Sequence, residues 1–216
     1  MGSEREKRVA AGVAATLVED GMRVGLGTGS TVAHLLPELA VRGLDLRCVA
    51  TSAATERAAR ELGLRVESFS GADAVGELDI AIDGADQVAP RGWLVKGGGA
   101  AHTREKAVAT AAARFVVIVS SDKLVEQLHP PVPLELLEFG LASTLRRLGE
   151  VELRDAPRSP DGGVIADYVG AFEDPEALAA SLSSTVGIVE HGLFPPALVS
   201  DVIVARGEQV EQRRLR

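Results

Sequence analysis

A chain of 216 residues with 46% hydrophobic side chains has apolar material for one large domain, or a large and a small one, and this excludes disorder as its state. Aromatics make up only 3% while glycines number 23, so the apolar content is Ala, Val and Leu, which suits helices on parallel strands and excludes an aromatic platform for stacking nucleic-acid bases. The 31 acidic against 23 basic residues, a net charge of −8, repel polyanions such as a duplex and leave any small anion to a local positive cluster.

In chain order, Val9, Val13 and Leu17, with Ala10, Ala14 and Val18 beside them, make one face of an amphipathic helix that stops at Asp20-Gly21. Residues 22–27 read as a strand entering Gly27-Thr28-Gly29-Ser30-Thr31, and 32–41 as a helix closed by Gly43, in which Pro37 predicts a kink or a shortened first segment. A strand over 46–50, a helix over 55–62 ended by Gly63, and an apolar strand over 78–82 ending at Asp83 come next. Residues 93–95 read as strand, 103–113 as a helix capped by Thr103, and 115–119 as strand. The alternation predicts an α/β fold with a mostly parallel, Rossmann-like sheet and helices on both faces.

The prolines of His129-Pro130-Pro131-Val132-Pro133 mark a domain border. Beyond it come strand 134–137, helix 139–148, strand 151–154, an Asp161-Gly162-Gly163 turn, strand 164–168, helix 175–182 and strand 186–189. That β-α-β-β-α-β order predicts a ferredoxin-like α+β small domain over 129–199. Residues 201–205 read as a buried strand returning to the first sheet, so the Rossmann-like domain spans 1–128 and 200–216 and the small domain is an insertion. Arg213-Arg214-Leu215-Arg216 reads as a solvated end. A single cysteine, Cys48, no apolar run of membrane-crossing length and a start unlike a signal peptide make the cytoplasm the expected compartment, with no membrane or nucleic-acid partner.

Gly27 to Thr31 joins a strand to a helix, and its amides, hydroxyls and helix N-terminus suit a phosphate. No Gly-Lys-Ser/Thr ends it and Ser30 stands where a dinucleotide fingerprint has its third glycine, so neither ATP nor NAD is expected. Asp83-Gly84-Ala85-Asp86 sets two carboxylates at a strand end, suited to sugar hydroxyls or proton transfer. Lys96-Gly97-Gly98-Gly99 lets the backbone approach a ligand and aim amides at a developing negative charge. Thr103-Arg104-Glu105-Lys106 opens a helix with Glu105 in its first turn. Each has a structural alternative: a capped turn, a solvated Asp turn, a charge favourable to the helix dipole.

Only four of the 23 basic residues are lysines, Lys7, Lys96, Lys106 and Lys123; where Arg is the habitual cation, a retained Lys points to a need for a compact ammonium. The four histidines show no metal-ligand spacing and no Cys/His cluster exists, so no metal or other cofactor is expected; Cys48, within an apolar strand, reads as core.

Taken in order, these motifs, with Thr51-Ser52, Ser121-Asp122-Lys123, Pro133 to Glu135 and Gly192-Leu193-Phe194, resemble type A ribose-5-phosphate isomerase over nearly the whole chain. The resemblance implies interconversion of ribose 5-phosphate and ribulose 5-phosphate through an enediolate, without a metal, by a cytoplasmic homodimer or homotetramer whose ligand is a small sugar phosphate. It implies Glu105 as the base between C1 and C2, and Asp83, Asp86 and Lys96 in ring opening, hydroxyl proton transfer and enediolate stabilisation. Substrate binding falls to Lys7, Thr28, Gly29, Ser30, Thr31, Lys123, the Asp83-Gly84-Ala85-Asp86 turn, and Lys96 with Gly97, Gly98 and Gly99. His102 stands where the family often has an apolar residue, and near Glu138 the family often has an apolar residue or Pro. Two alternatives remain: a glucosamine-6-phosphate deaminase relative, disfavoured by the Lys-Gly-Gly-Gly and Thr-Arg-Glu-Lys pair, and a sugar-phosphate sensor, disfavoured by an intact Glu105 and Lys96.

Overall fold

The computed structural model describes residues 2–216. Its elements are α1 (Gly2–Ala15), β1 (Arg23–Leu26), α2 (Ser30–Ala40), β2 (Arg47–Ala50), α3 (Ala53–Glu61), β3 (Leu78–Asp83), β4 (Gln87–Val88), β5 (Leu94–Val95), α4 (His102–Ala111), β6 (Ala112–Ser120), β7 (Val132–Leu136), α5 (Leu141–Leu148), β8 (Val151–Leu153), β9 (Val164–Tyr168), α6 (Pro175–Ser184), β10 (Ile188–His191), β11 (Leu193–Phe194), β12 (Asp201–Arg206) and β13 (Gln209–Arg214). They form two compact units. The first holds the chain up to Ala85, Arg104–Lys123 and Ala197–Arg216; the second holds Asp86–Thr103 and Leu124–Pro196. Residues 86–103 and 124–128, placed by the sequence in the first domain, thus group with the second.

The first unit is α/β. Its sheet has the order β13-β12-β6-β3-β1-β2, parallel throughout except for β13. Val24 and Leu26 of β1, with Ile80 and Ile82 of β3, pack with Val32, Leu35, Leu36 and Leu39 of α2 and the alanines of α1. Gly25 points the other way, where an added Cβ would stand 2.5 Å from Val108 of α4. Helices therefore cover both faces, as strands with side chains alternating between faces require.

On α1 the fully buried stripe is Ala10, Ala11 and Ala14, while Val9, Val13 and Leu17 are only partly buried at its margin. The small side chains let the helix approach its neighbours closely, so the buried face lies slightly around from the one read from the valines. The helix also ends before Asp20-Gly21, in a tighter turn of i→i−3 bonds from Thr16, Leu17 and Val18. Pro37 neither ends nor divides α2. Both Pro37 and Ala33 are exposed, so the carbonyl deprived of its donor faces water.

In the second unit β7, α5, β8, β9, α6 and β10 follow one another, with an antiparallel sheet of order β10-β7-β9-β8. Val132, Leu134 and Leu136 form its apolar centre with Leu182 and Ala166. A separate small sheet, β11-β5-β4, is antiparallel. The strand at 93–95 therefore does not join the parallel sheet. In the C-terminal segment Gln209–Arg214 pairs with β12 along its length after a turn at Gly207 and Glu208, so Arg213 and Arg214 belong to a strand, while Leu215 and Arg216 lie exposed beyond it. Its charged side chains suit a sheet edge, which they protect against pairing with other chains.

Glu6 of α1 joins three parts of the first unit. Its carboxylate accepts the Gly207 amide at 2.9 Å, and the amide and hydroxyl of Ser121, each at 2.9 Å. These bonds, Gly207's foremost, hold its pKa below the ordinary 4.5. The Glu6 carboxylate therefore stabilises the fold above about pH 4.5, and this contribution is lost as the pH falls through the lowered folded value. Urea unfolding of the native chain and Glu6→Gln from pH 7 to pH 3 should show a stability gap that narrows below about 4.5; a constant gap would show that this carboxylate is not linked to folding.

Candidate active site

In the first unit the parallel strands end at one sheet edge, so the residues after them gather there however far apart they lie in sequence. Gly27 to Thr31 follow β1, Thr51 follows β2, Asp83 closes β3, and the short 3-10 turn Ser121–Lys123 follows β6. β2 and β3 flank β1 on opposite sides, so the direction of winding reverses beside β1, where open α/β sheets bind ligands.

Asp83 is 3% exposed. Its Oδ1 accepts the amides of Thr28 (3.1 Å) and Gly84 (2.7 Å), joining the glycine-rich loop to the strand end. The approach needs a residue without a side chain: a Cβ on Gly27 would lie 1.9 Å from Asp83 Cγ. Thr55 donates its hydroxyl to the Gly27 carbonyl at 2.9 Å, and the Thr28 and Thr51 hydroxyls are 2.7 Å apart. Gly29, with φ 118°, precedes α2 and supplies no side-chain cap. The start of α2, opened by Ser30 and Thr31, is therefore left without a side-chain cap.

Two lysines of this unit are held by acidic neighbours. Lys7 lies 2.5 Å from Glu4, whose second oxygen is 3.1 Å from His34 Nε2; Lys7 first, then His34, holds the Glu4 carboxyl below its usual range. Lys123 Nζ lies 3.5 Å from the Asp122 carboxylate, whose pKa the Ser120 hydroxyl lowers most. Helix α4 leads into β6, which runs parallel to β3, so its first turn stands at the carboxyl edge. That turn carries Glu105, 4% exposed.

The second unit carries Asp86, Lys96 and Gly97 to Gly99. Asp86 Oδ2 accepts the Gly98 amide at 2.8 Å, so this amide is engaged by a carboxylate. The Lys96 side chain is buried, with Nζ 5.5 Å from the Phe194 ring centre, a distance at which an ammonium is attracted by a ring face. Its amide donates to Gly192 O at 2.8 Å. Gly97 has φ 105° and packs so closely on His102 that a Cβ would stand 2.7 Å from Nδ1. Ala100 closes the turn with its amide on Gly97 O at 3.0 Å and takes a φ of 58°, a left-handed conformation that costs a non-glycine residue roughly 1–2 kcal/mol.

Thr103 does not cap α4. The helix begins one residue earlier, and the Thr103 hydroxyl donates to Glu135, whose other oxygen receives the Ser159 hydroxyl. The first unit thus holds Lys7, Thr28 to Thr31, Asp83, Gly84, Ala85, Glu105 and Lys123, and the second holds Asp86, Lys96 and Gly97 to Gly99. Sequence reading gave no site role to Thr55, Glu135 or Phe194, which touch these residues from elements distant in the chain, although Glu135 and Phe194 lie in motifs that carry the resemblance. Cys48 is buried in β2 and its thiol is pushed up to about 12 by burial, so it is core and no nucleophile. Glu138 is exposed and paired with Arg158.

A mainly parallel sheet whose carboxyl edge gathers a glycine-rich turn, the hydrogen-bonded Asp83 carboxylate and a buried Glu at a helix start is the architecture of an α/β enzyme. Residues 47–209 match the family model described as ribose 5-phosphate isomerase A (phosphoriboisomerase A). The chain is 46% identical to the ribose-5-phosphate isomerase A of Methanosarcina acetivorans, covering 88% of this chain and 86% of that protein. It is 44% identical to that of Caulobacter vibrioides, covering 97% and 98%. The crystal structure of ribose 5 phosphate isomerase A from Neisseria gonorrhoeae superposes with a TM-score of 0.92 at 29% identity, covering 100% of this chain and 99% of that one. A D-ribose-5-phosphate isomerase in complex with phospho-erythronic acid gives 0.90 at 34% identity, covering 99% and 100%. The chain belongs to the ribose 5-phosphate isomerase A family and is an isomerase.

A methyl group at Gly27 must displace Asp83 and break its bonds to the Thr28 and Gly84 amides. Gly27→Ala should lower catalytic efficiency by about 10²-fold or more and stability by about 1–3 kcal/mol. Steady-state kinetics with urea unfolding checks this; near-native efficiency would show that the loop is not tied to Asp83.

Proposed function

We propose that this chain interconverts ribose 5-phosphate and ribulose 5-phosphate in the non-oxidative pentose phosphate pathway, with Glu105 as the base. The observation that carries the reading is a buried Glu105 in the first turn of α4, at the sheet edge where Asp83 ends β3 and the Gly27 loop follows β1. In the open-chain aldose, Glu105 takes the C2 proton; the electron pair moves into a C1–C2 double bond and the negative charge to O1. Returning the proton to C1 while the O2–H proton passes to O1 yields the ketose, with a carbonyl at C2 and a hydroxyl at C1. Lys96 and the amides of the glycine turn that Asp86 does not engage stabilise the enediolate oxygens, and Asp83 and Asp86 open the ring and move hydroxyl protons. Thr28, Gly29, Ser30 and Thr31, with Lys7 and Lys123, hold the phosphate, whose binding energy positions C1 and C2.

These steps are proposed to run on the chain's own groups; among the described residues no helix is long and apolar enough to cross a membrane. The cytoplasm is the proposed compartment. The β7–β10 sheet is proposed as an inserted ferredoxin-like small domain, supported by its β-α-β-β-α-β order, within a Rossmann-like catalytic domain.

The working form is proposed as a homodimer or homotetramer. Support comes from Phe139 at 95% and Val186 at 77% exposure, with Leu137 bonded through its amide to Gly187 beside Val186. Sedimentation at micromolar concentration should give two or four copies; a monomer would reject it.

Glu105→Gln keeps the shape of the side chain but cannot accept a carbon-bound proton. Turnover, assayed with a chelator present, should fall by about 10²- to 10⁴-fold, with 4-phosphoerythronic acid binding held within a few fold. A first-turn Glu acting only on the helix dipole contributes about 0.3–1 kcal/mol of stability, and its replacement would leave turnover nearly intact. Retention of more than about a tenth of turnover rejects Glu105 as the base.

A further inference from the structure

Arg154, directly after β8, is assigned no role by the family resemblance, yet it touches the glycine turn. Its guanidinium grips Asp167 of β9 through two bonds, Nε to Oδ2 and Nη2 to Oδ1, both at 2.6 Å. The remaining nitrogen, Nη1, donates to two successive carbonyls, Gly97 O at 3.0 Å and Gly98 O at 3.3 Å. Nη1 carries two hydrogens, one for each carbonyl, so the planar fork is used on both sides. The Arg154 side chain is 20% exposed and that of Asp167 18%, so solvent screens the pair only in part.

In a trans peptide the carbonyl and the following N–H point to opposite sides. Holding the Gly97 and Gly98 carbonyls toward Arg154 therefore turns the Gly98 and Gly99 amides away from it. Asp86 Oδ2 receives the Gly98 amide at 2.8 Å, which confirms the direction of that peptide. The Gly99 amide faces the same way, on a stretch where Gly98 and Gly99 are exposed. Three glycines in a row have no side chains with which to fix their peptide planes and lose much freedom on ordering. A cation on their carbonyls fixes those planes and polarises each peptide so that its N–H becomes a better donor.

We propose that Arg154, oriented by Asp167, is a positioning residue that sets the Gly99 amide for the developing enediolate charge and keeps the Gly98 amide on Asp86. The assignment rests on the reading of the chain as an enediolate-forming isomerase. It goes beyond that reading in giving the oxyanion donors a dedicated support outside the substrate-contacting residues. Because the Gly99 amide meets full charge only as the enediolate forms, the loss of the clamp acts on kcat more than on KM.

The test compares Arg154→Ala, Arg154→Lys and the native chain in kcat, KM, thermal midpoint, and binding of two probes, inorganic phosphate and 4-phosphoerythronic acid. Lysine keeps the charge and an ion pair with Asp167 but cannot span a carboxylate and two carbonyls. Both variants should lose at least tenfold in kcat with KM within about threefold, and bind 4-phosphoerythronic acid at least tenfold more weakly with phosphate affinity unchanged. If Arg154→Ala does not fold, Arg154→Lys decides. Native kcat in a folded variant, or equal weakening of both probes, overturns the proposal. An inactive native chain would instead overturn the isomerase reading, so the two failures are distinguishable.

Discussion

The carboxylate of Asp83 lies against the bare α-carbon of Gly27, and on this contact the first half of the site depends. A buried carboxylate must be compensated by hydrogen bonds, and here the Thr28 and Gly84 amides both donate to one of its oxygens. The same bonds set the path of the chain out of β1 and out of β3. Any side chain at Gly27 would intrude on the carboxylate, so the glycine is required by proximity. From this junction follow the position of Thr28 beside Thr51, the Thr55 bond to the Gly27 carbonyl, and the uncapped start of α2.

The second unit meets a comparable demand by other means. Its glycine turn contains a positive φ at Gly97 and a left-handed Ala100, conformations that persist only where neighbouring structure dictates them. His102 crowds Gly97 from beneath, Asp86 takes the Gly98 amide and Gly192 receives the Lys96 amide. Lys96 is thereby buried beside the Phe194 ring, where its ammonium is a compact charge that a planar guanidinium would not reproduce. The scarcity of lysine in an arginine-rich chain is consistent with this surrounding.

Much of this was legible in the sequence because it is written locally. Gly27 to Thr31, Asp83 to Asp86 and Lys96 to Gly99 each follow a strand, and strand ends follow from apolar runs and glycines. Glu105 reads as a first-turn residue from its place after the triple glycine. What escaped was set by tertiary packing. β4 and β11 are two-residue strands with no periodicity to detect, and they draw β5 into a small antiparallel sheet. β13 is heavily charged because it lies at an edge, so its composition reads as tail. Thr103 has the residue type of a cap, but Glu135, a partner 32 residues away, takes its hydroxyl. Arg154 gives no local signal, since its partners are carbonyls and a carboxylate reached only through the fold.

The most direct test is a crystal structure with 4-phosphoerythronic acid, whose carboxylate copies the planar, charged C1–C2 end of the enediolate. The expected result is phosphate on the amides of Gly29 to Thr31 and the hydroxyls of Thr28, Ser30 and Thr31, with the ligand carboxylate within reach of Glu105. Asp83 should still hold the Thr28 and Gly84 amides. A ligand phosphate bound away from this loop, or a ligand carboxylate out of reach of Glu105, would contradict both the assignment of the phosphate site and the choice of base.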